Sequence, residues 1–204
     1  IACYLLYRLA KEDHGDEIAS TTVFVMLFFP TARFFTSIYS EAPFLAFALG
    51  AFYAARRGRW FAAAALGACA ALTRNREYRG YLNFAYPGAG QILNLTLFFR
   101  DSHFYSLFES GMALIFLFLI ILSFNYVRDR SLLIFLVLGF LIPFSSVVDN
   151  LPLGMPRYIL VLFPGYVALA HLLHKHGLVQ VYTAISGVAF SVITVIFVVG
   201  RWSR

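Results

Sequence analysis

Charge is scarce in this sequence. Only 13% of its 204 residues are Asp, Glu, Lys or Arg, and 61% are hydrophobic. An average soluble domain is about a quarter charged and about half apolar. The shortfall excludes an ordinary water-exposed surface and points to an integral membrane protein with lipid around most of it. Cysteine is scarcer still. Cys3 and Cys69 both fall inside apolar runs, where a thiol packs as a small hydrophobe; neither a disulfide nor a metal pair is expected. Acidic residues are outnumbered by basic ones, 10 to 16. In a membrane chain the basic surplus collects in cytoplasmic loops, so no nucleic-acid partner is expected. There is no Ser-His-Asp arrangement, no glycine loop for phosphate and no Cys/His zinc spacing. No metal or cofactor is expected, and no cleavable signal peptide is visible.

What is present is a series of apolar runs: 1–9, 19–38, 42–55, 60–73, 105–126, 131–149, 157–173 and 179–200. A spanning helix needs about 20 mostly apolar residues. The expectation is an all-α polytopic transmembrane bundle of about seven to eight spans, forming one domain over 1–204. The 42–55 and 60–73 runs are short; they either extend into their flanks or form a helical hairpin. The chain opens inside an apolar run without Met, so more chain is expected before it. Near Asn75–Arg76 the alanine-rich "AALTR" turns abruptly into polar "NREYRGYLNF". A break in the covalent sequence is expected there.

The basic clusters fall in alternate loops: Arg8 and Lys11; Arg56, Arg57 and Arg59; Arg128 and Arg130; Lys175. The positive-inside rule places those loops in the cytoplasm. The turns "SIYSEAP" and "VVDNLPLGMPRY", with segment 74–104, then face the other side. Arg74, Arg76 and Arg79 are the exceptions to the pattern. Other features read as packing: "WFAAAALGACAAL" lets helices approach closely. Asn94-Leu95-Thr96 matches a glycosylation acceptor, relevant only in a eukaryotic secretory route. His171 and His174 in "HLLHKH" share a helical face as metal ligands do, but with Lys175 they also suit a helix C-terminus.

Ionisable groups near membrane depth are costly, which makes each a candidate for function. On the outer side these are Arg33, Glu41, Arg74 and Arg157. Three guanidinium forks and one carboxylate at one depth suit a phosphate-bearing ligand with an apolar tail, such as a lipid-linked phosphosugar. The alternative keeps them structural. Arg33 and Arg157 then snorkel, or pair with Glu41 and Asp149. Arg33 and Glu41 would lie about 12 Å apart along one continuing helix, and Glu41 would simply favour a helix N-terminus that Pro43 pre-sets.

The stretch "FFPTARFFTSIYSEAPFLAFALGAFYAARRGRWFAAAALGACAALTR" resembles the middle of PIG-V-type mannosyltransferases, the GPI mannosyltransferase II-like branch of the GT-C membrane glycosyltransferases, bacterial relatives included. The marks are Pro30, Tyr39-Ser40-Glu41, Arg56–Arg59 and Thr73-Arg74, with a second block at Pro156-Arg157-Tyr158. The resemblance implies a GT-C-like fold and transfer of a sugar, inverting or retaining, from polyprenyl- or dolichyl-phosphate mannose at the extracytoplasmic face. With Arg33 from the charge reading, it makes Tyr39, Glu41, Arg74, Arg157 and Tyr158 the expected substrate-binding residues. The family's catalytic acid usually lies in the first outer loop, here expected upstream of Ile1. Expected partners are the lipid-linked donor, membrane lipids and other membrane subunits. A plasma membrane of bacterial type is expected rather than the endoplasmic reticulum. The rival expectation is a non-catalytic accessory or scaffold subunit with a glycosyltransferase-like fold; a flippase for lipid-linked sugars is a third, without internal repeats to support it.

Overall fold

The computed structural model describes residues 1–36, 40–74, 82–84, 86–101, 104–148, 151–152 and 154–199. Among these the chain is predominantly helical. Its helices are α1 (Ala2–Leu27), α2 (Glu41–Arg56), α3 (Trp60–Arg74), α4 (Ala89–Asp101), α5 (Phe104–Tyr126), α6 (Arg130–Phe144), α7 (Met155–Leu160), α8 (Phe163–Lys175) and α9 (Val179–Val198). A 3₁₀ turn covers Ala32–Phe35. The fold class is all-α as expected, with one small addition, an antiparallel sheet of β1 (Leu82–Phe84), β2 (Ser146–Val148) and β3 (Leu151–Pro152), in that spatial order. Leu82 pairs with Val148, and Val148 with Leu151. The strands are two or three residues long, too short for an alternating pattern to stand out from the apolar runs beside them.

Several expected helix limits also move. The 1–9 run and the first part of the 19–38 run lie in two helical halves of α1 that meet at a kink at Gly15, whose φ of 83° lies in the left-handed region that glycine tolerates. α1 stops at Leu27, short of Pro30, because proline disfavours helical geometry in the residue before it. The 131–149 run ends as a helix at Phe144, one residue past Pro143, and turns into β2. The 157–173 run is two helices, since α8 restarts at Phe163 with Pro164 in its first turn. Segment 74–104, expected as a long loop, contains α4, which follows the tight turn at Gly88 (φ 90°). The suggested break near Asn75–Arg76 lies outside the described residues.

Among the described residues two helices, Ser106–Tyr126 and Val179–Ile196, are long and apolar enough to cross a membrane. α3 and α6 are apolar but have 15 residues each, about 22 Å of helix against a hydrocarbon core of about 30 Å. Helix length among the described residues accounts for two full-length spans of the seven to eight expected. α2 and α3 instead form the hairpin, turning at Gly58 (φ 71°).

The core is built around α7 and α8. From Met155 to Ala170 nearly every residue is buried. Tyr166 meets Phe29 and Phe116 edge-on, with centroids 5.1 and 5.8 Å away, and Phe163 meets Phe52 at 5.8 Å. Gly165 permits the Phe116 approach: a Cβ there would sit 3.1 Å from that ring. α9 shows the opposite character. Ile185, Val188, Val192 and Val195 are exposed, an apolar face that suits lipid.

One end of the bundle is tied by charge. Arg56, closing α2, donates through Nη2 to Asp13 at 2.6 Å and to Asp129 at 2.9 Å. Arg57 donates to Glu12 at 2.8 Å. Asp129 also caps α6, accepting from the Ser131 N–H at 2.8 Å. Nearby, the His14 and His171 rings share a hydrogen bond of 3.0 Å, and Tyr126 stacks on His171. His174 lies 3.6 Å from Glu17. The kink of α1, the C-termini of α2, α5 and α8 and the N-terminus of α6 therefore meet at this end. Burial raises the Asp129 pKa, but hydrogen bonds from the Ser131 hydroxyl and N–H and from Arg56 outweigh it and leave it lowered. Its contribution to stability is complete above the ordinary carboxylate range and is lost as pH falls through the lowered pKa. Arg56→Ala leaves Asp13 and Asp129 facing each other across a partly buried gap. The expected cost is about 2 kcal/mol, read as a lower thermal midpoint at neutral pH. The deficit should shrink in acid as Asp129 protonates; a constant deficit down to strong acid would contradict the assignment.

Candidate functional site

The opposite end collects the arginines. The 3₁₀ turn after Pro30 brings Arg33 inward, and Arg33 is 4% exposed. Its guanidinium lies 5.0 Å from the Phe34 ring. Arg33 and Glu41 lie on separate elements, as the separate runs 19–38 and 42–55 imply, because α1 ends at Leu27 and α2 begins at Glu41. Glu41 is 1% exposed. It is the first residue of α2, where the helix dipole favours a negative charge.

The Glu41 carboxylate also has a partner. Arg157, on the first turn of α7, donates to Oε1 from Nε at 2.9 Å, and its Nη2 lies 2.9 Å from the same oxygen as an ion pair. The other, Oε2, is buried and has no hydrogen-bond partner among the described residues. The Arg157 guanidinium lies 6.0 Å from the Phe34 ring, the same ring that faces Arg33. The structural pairing of Arg157 with Asp149 cannot be placed, since Asp149 lies outside the described residues, as do Tyr39, Arg76 and Arg79.

Arg74, at the end of α3, is held differently. Its guanidinium sits between two aromatic rings, 4.5 Å from Phe44 of α2 and 4.6 Å from Tyr158 of α7. Stacking of this kind holds a guanidinium plane without neutralising it. Nε and Nη2 are buried and meet no acceptor among the described residues. Buried charged donors of this sort are costly to leave unmade. Arg74, Phe44 and Tyr158 also line a cavity of about 260 Å³. The rest of its wall is apolar, from Phe135, Gly139, Ile142 and Pro143 of α6 and from Val161 and Leu162. A cation with open donors thus stands at the edge of a greasy slot.

Of the six residues singled out from the sequence, five fall within the described part, and they meet where α2, α3, α7 and the 3₁₀ turn converge. The two stacking rings, Phe34 and Phe44, were not foreseen; they are two of 23 phenylalanines and nothing local marks them. Glu109 was also missed. It lies inside α5, is 1% exposed, and accepts from the Asn94 amide at 3.1 Å. Its signal was a lone carboxylate in the apolar run "SLFESGMALIF". That bond buries Asn94, so the Asn94-Leu95-Thr96 acceptor is closed to a glycan in this fold. His171 is likewise engaged by His14 and Tyr126. No group of three or more His, Cys, Asp or Glu side chains able to hold a metal occurs among the described residues.

The chain matches no protein-family model, no curated protein and no solved structure.

Proposed function

We propose that this chain is a membrane glycosyltransferase of GT-C type, transferring mannose or a related sugar from a polyprenyl- or dolichyl-phosphate donor at the extracytoplasmic face. One observation carries the reading. Arg74 is held by two rings, keeps two buried donors open, and borders an apolar cavity. That combination suits a phosphate joined to a hydrocarbon chain: the fork takes the phosphate oxygens and the slot takes the first part of the lipid. In sugar transfer the lipid phosphate leaves with growing negative charge, and a preorganised cation beside it lowers the barrier. Arg33 and Arg157 add positive potential to the same end. Glu41, bound to Arg157, acts as a positioning residue and not as the base that takes the acceptor proton.

In this reading the bundle is multi-pass, with the Arg56 end in the cytoplasm and the short helices shielded by protein or by a locally thinned bilayer. The experiment is transfer of radiolabelled mannose from polyprenyl-phosphate mannose by the full-length protein in liposomes. Transfer supports the proposal; none, across prenyl lengths and acceptors, refutes it.

A second reading is a non-catalytic transmembrane subunit of a larger complex. It is favoured by the buried Glu41–Arg157 pair, which by itself fits a structural tie, and by the exposure of Trp60, Phe61 and Leu72 on α3. Such a subunit would fail the transfer assay and co-purify with partners in fixed stoichiometry.

A further inference from the structure

Away from the arginine site, α1, α2 and α3 enclose a groove of about 810 Å³. It runs along the α2–α3 hairpin from Pro43 to Arg57 and Arg59. Fourteen residues of helix span about 21 Å, more than the roughly 15 Å of one leaflet's hydrocarbon, half of a core of about 30 Å. The two ends differ in chemistry. Leu5, Pro43, Phe47, Gly50 and Leu66 line an apolar body, and the polar lining, Tyr53, Arg57 and Arg59, is confined to one end. Gly50 lets α3 come close, since a Cβ there would be 3.3 Å from Leu66. At the polar end the Arg57 guanidinium lies 4.9 Å from the Tyr53 ring and donates to Glu12. The Arg59 side chain is exposed and has no carboxylate partner among the described residues. Trp60 and Phe61, 71% and 94% exposed, follow it directly. Aromatic side chains beside arginine mark the headgroup level of a bilayer.

We infer that this groove binds an anionic phospholipid of the leaflet at the Arg56 end, with one acyl chain along α2 and α3 and its phosphate at Arg59 and Arg57. The charge complementarity is one-sided, as a lipid requires: at one end the open guanidinium of Arg59 and that of Arg57, which is shared with Glu12, and no charged side chain along the body. A second protein helix would meet the same small residues but would have no use for arginines at one mouth only. The inference rests on the membrane reading, not on sugar transfer, and concerns the other end of the bundle.

Native mass spectrometry of the detergent-purified full chain tests it, titrating phosphatidylglycerol against phosphatidylcholine of matched chains. Phosphatidylglycerol is expected to bind more tightly, with each arginine contributing about fivefold. Arg57→Ala with Arg59→Ala should lower its affinity about 25-fold, to the level of phosphatidylcholine. Arg59→Ala alone, which breaks no ion pair, should lower it about fivefold and keeps the test open if the double variant misfolds. Ala62→Phe, which narrows the body and leaves both arginines in place, should weaken both lipids. Arg8→Ala, a basic change outside the groove, should alter neither. Equal binding of the two lipids, or full phosphatidylglycerol binding by Arg59→Ala, overturns the inference. So does a dimer that Ala62→Phe dissociates while lipid binding is unchanged, which would assign the groove to a second copy.

Discussion

Arg74→Ala is expected to cost on the order of 100-fold in kcat/KM for transfer from a lipid-phosphate sugar donor, the loss typical of removing one preorganised donor from a developing anion. The size follows from how Arg74 is held. Phe44 and Tyr158 fix the guanidinium plane from two sides without neutralising it. Nε and Nη2 therefore keep their full capacity for the ligand. Arg74→Lys retains a cation but loses the planar fork and the stacking, so roughly tenfold of the loss should remain. If the group acts on the departing phosphate, the loss appears mainly in kcat; if it only holds the donor, it appears in KM. Rates are to be measured with radiolabelled polyprenyl-phosphate mannose at saturating acceptor. Wild-type rates in Arg74→Ala would remove the residue from the site and with it the main support for the proposed chemistry.

Glu41→Ala should lower stability by more than Arg56→Ala does, by about 3 kcal/mol. The carboxylate is almost wholly buried, and one of its oxygens accepts from Nε of Arg157 and pairs with Nη2. Removing it leaves Arg157 without that partner, beside an Arg33 that faces the same Phe34 ring. Glu41→Gln keeps an acceptor in place and should cost less, because a hydrogen bond survives where the charge does not. The pair should be strongly coupled. Glu41→Ala with Arg157→Ala is expected to cost less than the sum of the single changes, by about 1–3 kcal/mol. Denaturation in mild detergent reads these differences directly. Additive losses would show that the two side chains do not support each other.

These two residues illustrate what a sequence can and cannot display. Arginine and glutamate at the ends of apolar runs stand out because ionised groups near hydrocarbon need a reason to be there. Five of the six candidate site residues can be placed, and they converge at one end of the bundle. Their partners were not legible. Arg157 and Glu41 are 116 residues apart, and no local pattern shows that α7 delivers one to the first turn of α2. Helix start and ion-pair partner are both structural explanations of Glu41, and the fold gives it both positions at once. Asp13 and Asp129 were passed over for a similar reason. Each is an ordinary polar loop residue until the α1 kink and the start of α6 bring them to Arg56.

The helix limits depart from the apolar runs for local causes, since apolarity does not distinguish a helix that continues from one that stops. Pro30, Pro143 and Pro164 cut three of the runs, by removing a backbone donor or by restricting the preceding residue. The small sheet was invisible because strands of two or three residues carry no period.

The sequence by itself determined that this chain is predominantly helical and apolar, with most of its charges gathered where the helices end or kink. Those properties depend on composition and on neighbours a few residues apart, since burial preference and backbone propensity act locally. Only the tertiary structure decided which charge is neutralised and which is left open. Arg157 receives a carboxylate, Arg56 receives two, and Arg74 receives two aromatic rings and a cavity. The physical reason is that pairing depends on which helix ends are brought within a few ångströms, and packing of the whole bundle sets that distance.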